Sequence, residues 1–387
     1  MKRVSPESES EPESESGRSP LLPGAIPDSD SGAARLDSDS GSFAQLLLQH
    51  YDAHRRDLPW RQDADPYRVW ISEVMLQQTR VETVVPYYRR WLERFPDVGR
   101  LADAPADDVL KQWEGLGYYG RARNLHQAAG LVRDRHAGAL PSDPALLRAL
   151  PGFGEYTVGA VASIAFGRRL PAVDGNVRRV LSRIHDRATL TPAWLRATAA
   201  ALVPADRPGD FNQALMELGA TICTPRSPRC PDCPLRGLCL ARARGTVDDV
   251  PARRRRAAVP TVELATAVVR DDAGRLLLVR NPDAGLLGGL WGFPVAEPAP
   301  GEPPLRAAAG AAVRAGATVH DAEGAELPPV RHQFSHLTAT YRPFLFEGAP
   351  ALPPPETAAS ARWLTPDEIR AHALPVAQRR ILAHARA

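Results

Sequence analysis

The sequence predicts two folded domains, a mainly α domain followed by an α+β domain. From Ser42 to about Ala241, apolar residues recur at helical spacing. All four cysteines lie at the end of that region, between Cys223 and Cys239. From Val262 onward the pattern changes to short strand-like runs separated by turns. A chain of 387 residues can hold two domains of ordinary size.

The segment 1–40 is predicted to be a disordered acidic tail, because SPESESEPESESG has too few apolar side chains to form a core. It holds nine acidic and four basic residues, whereas the whole chain has a net charge of +3. The remainder therefore carries a positive excess, which suits a polyanion but also occurs in many other soluble domains. No apolar run approaches the roughly 20 residues that span a bilayer, and the N-terminus lacks a signal segment. We therefore expect a cytoplasmic protein without membrane contact.

The first domain, 41–241, is predicted to be helical. Its first helix has Ser42 as N-cap, and the apolar stripe of this helix includes Phe43, Leu46 and Leu47. Further helices are predicted at DPYRVWISEVMLQQT, ADDVLKQW, RARNLHQAAGLV, EYTVGAVASIAF and FNQALMELGA.

A tight turn is predicted inside LLRALPGFGEYTVGAVASIAF, where two helices are joined at 151–154. Gly152 and Gly154 allow the backbone to approach a ligand closely, and the free amides that open the second helix suit a phosphate. A helical corner that needs glycine for steric reasons explains the same turn. The cysteine loop downstream favours phosphate binding, in which the contact with DNA is independent of base sequence.

The cysteines Cys223, Cys230, Cys233 and Cys239 have the spacing C-x6-C-x2-C-x5-C, in a short loop with several prolines. Such loops can wrap an iron-sulfur cluster with four thiolates. Structural zinc also takes four cysteines, but usually through two C-x2-C pairs, and this loop has one. The loop, 223–239, therefore predicts an iron-sulfur cluster in preference to zinc.

Residues 242–260 include ARRRRAAVP and are predicted to be a basic linker, a solvated connector rather than a patch that grips DNA. The second domain, 261–387, opens with VELATAVVR, a DDAG turn and RLLLVR, which together indicate a β-hairpin. Helices are predicted near Leu305 and Asp367.

The glycine turn and the cysteine loop together resemble the endonuclease III superfamily of DNA glycosylases, which combine a helix-hairpin-helix with a 4Fe-4S cluster in one helical domain. Within it, WISEVMLQQTRVETVVPYY, WEGLGYYGRARNL, LPGFGEYT and AVDGNVRRVLSR are similar to the MutY-type adenine glycosylases. The resemblance covers about residues 42–380. It implies excision of adenine mispaired with 8-oxoguanine or guanine in duplex DNA, with a 4Fe-4S cluster as cofactor. It also implies a monomer, associated with the nucleoid through its partner DNA.

Glu73 is the candidate general acid. Val69, Trp70 and Leu76 lie at i−4, i−3 and i+3 on its predicted helix. An apolar flank of this kind raises the pKa of a carboxyl group, as a general acid requires. The resemblance implies that Glu73 protonates adenine.

Asp174, in VDGN, is followed by glycine and could simply support a turn. An oxocarbenium-like sugar also needs a nearby carboxylate, and the resemblance gives this role to Asp174, with Asn176 as its hydrogen-bond partner. At the position of Tyr156, lyase members of the superfamily carry a lysine that forms a Schiff base. We therefore predict a monofunctional glycosylase that leaves an abasic site, with Tyr156 shaping the pocket.

The target base must leave the stack before its bond can be reached. The resemblance implies that Gln78, Thr79 and Tyr118 enter or line the DNA helix beside 8-oxoguanine, although an aromatic such as Tyr118 is more often a core residue. The adenine pocket that the resemblance implies consists of Leu58, Trp60, Arg61 and Gln213.

The hairpin and GLLGGLWGFP of the second domain resemble a Nudix fold. The following LRAAAGAAVRAGATV lacks the carboxylates of the R-E-x-x-E-E metal cluster, so we expect binding rather than pyrophosphate hydrolysis. Gly292 stands where relatives commonly have an acid. The resemblance implies that 8-oxoguanine is read by Phe334, Ser335 and His336.

Two other functions fit parts of this pattern. A bifunctional glycosylase-lyase for oxidised pyrimidines is disfavoured by Tyr156 and by the second domain. A non-enzymatic helix-hairpin-helix module that binds DNA and carries a cluster is disfavoured by the pair of Glu73 and Asp174.

Overall fold

The computed structural model describes residues 31–252, 258–320, 323–352 and 360–386, and of 31–40 it describes the backbone alone. The first domain is mainly α and the second is α+β, as the sequence predicts. In the described residues, the first domain has α1 (Ser31–His54), α2 (Pro66–Leu76), α3 (Val81–Arg94), α4 (Val98–Ala102), α5 (Ala106–Trp113), α6 (Gly120–Arg135), α7 (Pro144–Arg148), α8 (Glu155–Phe166), α9 (Gly175–Ile184), α10 (Pro192–Leu202), α11 (Pro208–Thr221) and α12 (Leu240–Arg244), with short 3-10 helices at Pro59–Arg61 and Cys230–Asp232.

Helix α1 begins at Ser31 rather than near Ser42, so the prediction of Ser42 as an N-cap is wrong. The helix includes 31–40, part of the segment expected to be a tail, whereas 1–30 lie outside the described residues. Adding a residue to an existing helix costs less than starting a new one, because each added residue gains a hydrogen bond. The apolar stripe from Phe43 onward can therefore support a helix that extends toward the N-terminus.

Two apolar clusters stabilise the first domain. One joins α2 to α8 and contains the fully buried Trp70, Trp91 and Trp113. The other joins α1 to α9, α10, α11 and the cysteine loop, and it contains Phe43 and Phe211. Each large apolar side chain that is fully buried contributes roughly 1.5–3 kcal/mol to folding. The segments that form the candidate site come from both clusters.

The second domain is a mixed sheet with helices. Its described elements are β1 (Thr261–Arg270), β2 (Leu276–Arg280), β3 (Trp291–Gly292), β4 (Val295–Ala296), α13 (Pro304–Arg314), β5 (Ala317–Val319), β6 (Ala325–Glu326), β7 (Val330–Gln333), β8 (Thr338–Pro350), β9 (Ala361–Leu364), α14 (Pro366–Ala371) and α15 (Val376–His384). The main strand order is β3-β2-β1-β8-β5, with β1 and β8 parallel. The predicted hairpin is β1 and β2, and the predicted helices near Leu305 and Asp367 are α13 and α14.

Alternate residues of β1 face opposite sides of this sheet. Val268 packs in one apolar cluster with Ile381 of α15. Ala267 and Val269 pack in another with Ala308 of α13. Both sides of the sheet are therefore covered by helices, which buries its centre.

The two domains are in direct contact. Glu114, which follows α5, accepts a hydrogen bond from Arg379 Nη2 of α15 at 2.6 Å and another from the backbone N of Leu374 at 2.9 Å. Arg123 Nη1 of α6 donates to the carbonyl oxygen of Gly288 at 2.7 Å. These contacts fix the second domain beside the loop between α5 and α6.

Part of the predicted linker 242–260, residues 253–257, lies outside the described residues. Before it, α12 ends at Gly245, which adopts a left-handed conformation. Within the described ranges, no helix is both long enough and apolar enough to cross a membrane.

Candidate active site

A cavity of about 250 Å³ lies between segments of the two apolar clusters of the first domain. Its walls come from the loop before α2, from α2, α8 and α11, and from the start of α9. The predicted catalytic residues all line it, namely Glu73, Tyr156, Asp174 and Asn176. The predicted adenine-pocket residues also line it, namely Leu58, Trp60, Arg61 and Gln213. The fold therefore brings these two predicted sets together in one place.

Glu73 lies on α2, whose first turn is capped by Asp65. The Asp65 carboxylate accepts a hydrogen bond from the backbone N of Arg68 at 2.9 Å. Glu73 is 5% exposed, and burial raises its pKa to about 7, a rise that the hydrogen bond from Tyr156 opposes and the charge of Asp174 increases. At neutral pH a large fraction of Glu73 therefore keeps the proton that a general acid donates.

Tyr156 lies in the first turn of α8 and faces Glu73. Its Oη donates a hydrogen bond to Glu73 Oε2 and lies 3.3 Å from the sulfur of Met216. Burial, together with the neighbouring carboxyl groups, raises the pKa of Tyr156 well above its ordinary value. Tyr156 is therefore a neutral phenol that can orient Glu73.

Asp174 is the N-cap of α9 and also lines the cavity. One carboxylate oxygen accepts a hydrogen bond from the backbone N of Val177 at 2.8 Å, and the other accepts from Nδ2 of Asn176 at 2.7 Å. Burial raises the pKa of Asp174, and these hydrogen bonds oppose the rise. The Asp174 carboxylate therefore both caps the first turn of α9 and lines the cavity.

Asn176 is itself held by Arg179. Arg179 Nη2 donates to Asn176 Oδ1 at 2.8 Å, and Arg179 Nε donates to the carbonyl oxygen of Cys223 at 2.7 Å. The position of Asp174 is thus connected through two side chains to the start of the cysteine loop.

Glu217 on α11 forms the charged wall of the cavity. It accepts hydrogen bonds from Arg56 Nε at 2.7 Å and Arg61 Nη2 at 2.9 Å. Burial alone would raise the pKa of Glu217, but the hydrogen bonds from the two arginines hold it at about 2. Arg61 Nε is buried and has no hydrogen-bond partner among the described residues, and the guanidinium carbon lies 5.4 Å from the centre of the Tyr51 ring.

The residues expected to enter DNA lie in two short segments near the cavity. Gln78 follows α2, is exposed, and has a φ of 57°. Tyr118 precedes α6, is 43% exposed, and has a φ of 47°. Tyr118 is therefore not a core residue, although aromatic residues usually are. Thr79 lines the cavity itself.

The predicted glycine turn joins α7 to α8. Gly152 has a φ of 81°, a left-handed conformation that glycine adopts without steric cost. Gly154 is the N-cap of α8 and provides no side chain to cap the first amides of that helix. The turn therefore combines the steric requirement for glycine with a helix start that suits a phosphate.

The second domain faces the first across another cavity, of about 210 Å³. Phe334 and Ser335, in the loop between β7 and β8, form one wall of it, and Tyr118 lies on the opposite wall. His336 lies beside this cavity rather than in its lining, with Nδ1 3.5 Å from Ser335 Oγ.

The four cysteines line one pocket at the end of the first domain, together with Arg183. Burial raises the pKa of Cys233 to about 11, and the charges of the other three thiols add to that rise. Arg183 Nη1 donates to Cys223 Sγ at 3.3 Å, so a positive charge lies next to a sulfur ligand. The arrangement fits an iron-sulfur cluster, whose bound thiolates the cation would stabilise.

Comparison with protein families agrees with these sites. Residues 71–205 match the HhH-GPD superfamily of base excision DNA repair proteins, 223–239 match the iron-sulfur binding domain of endonuclease III, and 265–384 match the NUDIX domain. The first domain also matches the structure of a thermostable thymine-DNA glycosylase, with a TM-score of 0.51 and 30% sequence identity. That match covers 54% of this chain and 98% of the other.

Relatives match across both domains. The adenine DNA glycosylase of Homo sapiens is 37% identical over 399 residues, which cover 88% of this chain and 73% of the human protein. The chain belongs to the adenine DNA glycosylase family. The corresponding enzyme of Rattus norvegicus is 36% identical and covers 89% of this chain and 78% of its own length. This glycosylase is therefore a base-excision repair enzyme that acts on DNA, and the cysteine pocket is its 4Fe-4S site.

Glu217 of this glycosylase is the site residue that sequence reasoning missed. Its spacing gave a usable signal, because Glu217 follows Gln213 by four residues in FNQALME and so shares its helix face. The ion pairs with Arg56 and Arg61 span 161 and 156 residues, and nothing in the local pattern indicates them.

In the Nudix-like domain, α13 has the sequence PLRAAAGAAVR and packs on the sheet through alanines, without an acidic side chain. The structure also accounts for Gly292. A β-carbon there would lie 3.3 Å from the side chain of Gln378, whose Oε1 accepts a hydrogen bond from the backbone N of Phe293 at 3.1 Å. The buried Gln378 amide occupies the space that a larger side chain would need.

Proposed function

We propose that this enzyme hydrolyses the N-glycosidic bond of adenine mispaired with 8-oxoguanine, or with guanine, in duplex DNA and leaves an abasic site. The observation that carries the proposal is a cavity with two carboxyl groups in different environments, of which Glu73 is buried and Asp174 is partly buried. Glu73 accepts a hydrogen bond from a phenol, whereas Asp174 accepts one from an amide side chain and one from a backbone amide. Environments that differ in this way allow one carboxyl group to be an acid while the other is an anion.

In the proposed reaction, the Glu73 carboxyl transfers its proton to a ring nitrogen of the extruded adenine. The electron pair of the bond between C1′ and N9 then leaves with the base, and a cationic sugar remains. The Asp174 carboxylate stabilises that cation. A water molecule adds its hydroxide to C1′, and its remaining proton returns to the Glu73 carboxylate.

We assign the adenine side of the cavity to Leu58, Trp60, Arg61 and Gln213. Glu217 is a permanent anion that fixes Arg61 in the wall of the cavity. Gly152 and Gly154 would hold a backbone phosphate, which positions the duplex without reading its sequence.

We further propose that the enzyme is monofunctional. The sequence has lysine only at positions 2 and 111, and Lys111 Nζ contacts Glu114 at 2.8 Å, at the interface with the second domain. The cavity presents Tyr156 where a Schiff base would need an amine. The sugar therefore has no amine nucleophile among the residues that line the cavity.

Residues 41–241 would perform the chemistry and 261–387 would read the lesion. Oxidation gives guanine an N–H at N7, where normal guanine has an acceptor. The Ser335 hydroxyl can accept from this N–H, with Phe334 beside it and Tyr118 across the cavity. Gln78, Thr79 and Tyr118 would fill the gap that the extruded adenine leaves. One chain contains every part of this site, so we expect the enzyme to act as a monomer on nucleoid DNA.

The test is incubation with labelled duplexes that carry A opposite 8-oxoguanine, A opposite G, or thymine glycol. We expect adenine release from the first two, fastest opposite 8-oxoguanine, and strand breaks only after alkali. A break without alkali would contradict the monofunctional assignment. Cleavage of thymine glycol in place of the adenine mispairs would contradict the substrate.

A further inference from the structure

Arg121 lies in the first turn of α6, behind the two segments that face DNA. Its Nη1 donates hydrogen bonds to three carbonyl oxygens at the C-terminal end of α2: those of Val74 at 2.9 Å, Met75 at 2.9 Å and Gln77 at 2.6 Å. The positive charge thus lies where the α2 dipole is negative. Burial lowers the pKa of Arg121 to about 10, so the group stays charged at neutral pH.

The other terminal nitrogen of Arg121 reaches the second segment. Nη2 donates to the carbonyl oxygens of Leu116 at 3.3 Å and Gly117 at 3.1 Å, and to Thr79 Oγ1 at 3.3 Å. The guanidinium carbon also lies 5.1 Å from the Trp113 ring centre and 5.6 Å from that of Tyr118. One planar group therefore connects the end of α2 to the loop before α6.

Each connected segment contains a residue in an unusual conformation. Gln78 and Tyr118 have φ values of 57° and 47°, which non-glycine residues seldom adopt. Such conformations persist only where the surroundings determine them. Gln78 directly follows the carbonyl of Gln77 that Arg121 binds, and Tyr118 directly follows the bound carbonyl of Gly117.

We propose that Arg121 is a positioning residue that fixes Gln78 and Tyr118 in the conformations that enter DNA, before DNA binds. This inference rests on the proposed function, because it assumes that these two side chains fill the gap left by adenine. Arg121 reaches the two segments through two different nitrogens, whereas a lysine has a single terminal nitrogen on which every contact would have to converge. Arg121→Lys therefore keeps the charge and removes the double attachment.

The experiment uses the full-length protein and a duplex with 2-aminopurine opposite 8-oxoguanine, in which extrusion of the base increases fluorescence. For Arg121→Lys we expect a smaller extrusion signal and single-turnover adenine release about 10- to 100-fold slower, because small misplacements near the reaction have effects of this size. Binding to undamaged duplex should stay within about two-fold, because phosphate contacts dominate it.

Arg133→Lys is the matched control. Arg133 is on the same helix α6, is ion-paired with Asp103 and Asp134, and is far from both segments along the helix. A double-mutant cycle with Tyr118→Ala tests whether Arg121 affects adenine release through Tyr118. If Arg121 acts through Tyr118, Arg121→Lys should slow adenine release less than about three-fold in the Tyr118→Ala protein. The reason is that the effects of two residues that act together are not additive.

The outcomes separate this inference from the proposed function. A wild-type enzyme with no preference for A opposite 8-oxoguanine would contradict the proposed function. Wild-type preference with normal extrusion and release in folded Arg121→Lys would overturn the inference alone, as would full additivity with Tyr118→Ala. If Arg121→Lys does not fold, Arg121→Gln replaces it. If neither variant folds, Arg121 stabilises the domain as a whole and the inference is overturned.

Discussion

Glu73→Gln tests the central feature of the site, a buried carboxyl group that keeps its proton at neutral pH. Glutamine has nearly the same shape and can still accept the hydrogen bond from Tyr156, but it has no transferable proton. We therefore expect normal binding to the mispaired duplex and adenine release slower by at least about 10²- to 10⁴-fold, the usual contribution of a general acid.

The structure also gives a magnitude for stability. The pKa of Glu73 is about 7 in the folded protein, against an ordinary value of 4.5. A difference of this size corresponds to about 3 kcal/mol. Because the folded-state value is raised, the folded protein binds more protons than the unfolded chain between these pH values, and stability falls as pH rises from 4.5 to about 7. Glu73→Gln removes this loss, so it should stabilise the first domain at pH 8 and change little at pH 4.

Two assays check these expectations. Urea unfolding of the full-length protein at pH 4 and pH 8 gives the stability of the first domain in wild type and variant. Single-turnover release of adenine between pH 5 and pH 9 gives the rate constant, which in the wild type should fall about tenfold per pH unit above the Glu73 pKa. Glu73→Gln with near-normal release, or a wild-type rate that stays constant through pH 9, would refute the general-acid role.

Three further predictions concern other parts of the site. Asp174→Asn should slow adenine release about 10²- to 10³-fold while the fold is kept, because asparagine is an equally good N-cap. Asp143→Asn, at the N-cap of α7, is the matched control. Adenine release by Asp174→Asn within a few fold of the wild-type rate would contradict the role of Asp174 in stabilising the cationic sugar. Anaerobically purified protein should be brown, with absorbance at about 400 nm and about four irons per chain, whereas stoichiometric zinc would contradict the 4Fe-4S assignment. Ser335→Ala combined with His336→Ala should reduce the ratio of dissociation constants between A opposite G and A opposite 8-oxoguanine by several fold, since each lost hydrogen bond is worth roughly 0.5–1.5 kcal/mol. An unchanged ratio at fixed salt would exclude this loop from lesion recognition.

Local patterns were sufficient for the two fold classes and for the burial of Glu73, whereas most other residues of the cavity were identified by the family resemblance. The apolar residues around Glu73 indicated its burial, and the glycine turn indicated the corner between α7 and α8. Family motifs identified Asp174, although its sequence alone was equally compatible with an ordinary turn. In the structure it caps α9 and lines the cavity, so its local structural role is compatible with the catalytic role, which stays a prediction.

Contacts between distant segments could not be predicted in this way. Glu217 depends on Arg56 and Arg61, which are far away in the sequence, and its environment exists only after α11 packs near the loop before α2. The start of α1 was also mispredicted, because Ser42 is a good N-cap by residue type but the helix continues past it to Ser31.

The two carboxyl groups of the cavity lie in different electrostatic environments. Glu73 is buried and Asp174 is partly buried, and burial raises the pKa of each. Asp174 lies at the N-terminus of α9, where the helix dipole and the backbone N of Val177 favour its charged form. Glu73 lies in the last turn of α2, where the negative end of the helix dipole disfavours its charged form, and its hydrogen-bond partner is a phenol. In the proposed reaction, a cationic sugar near Asp174 would increase this difference, because it would favour the Asp174 anion directly. Proton transfer from Glu73 to the base would create that cation.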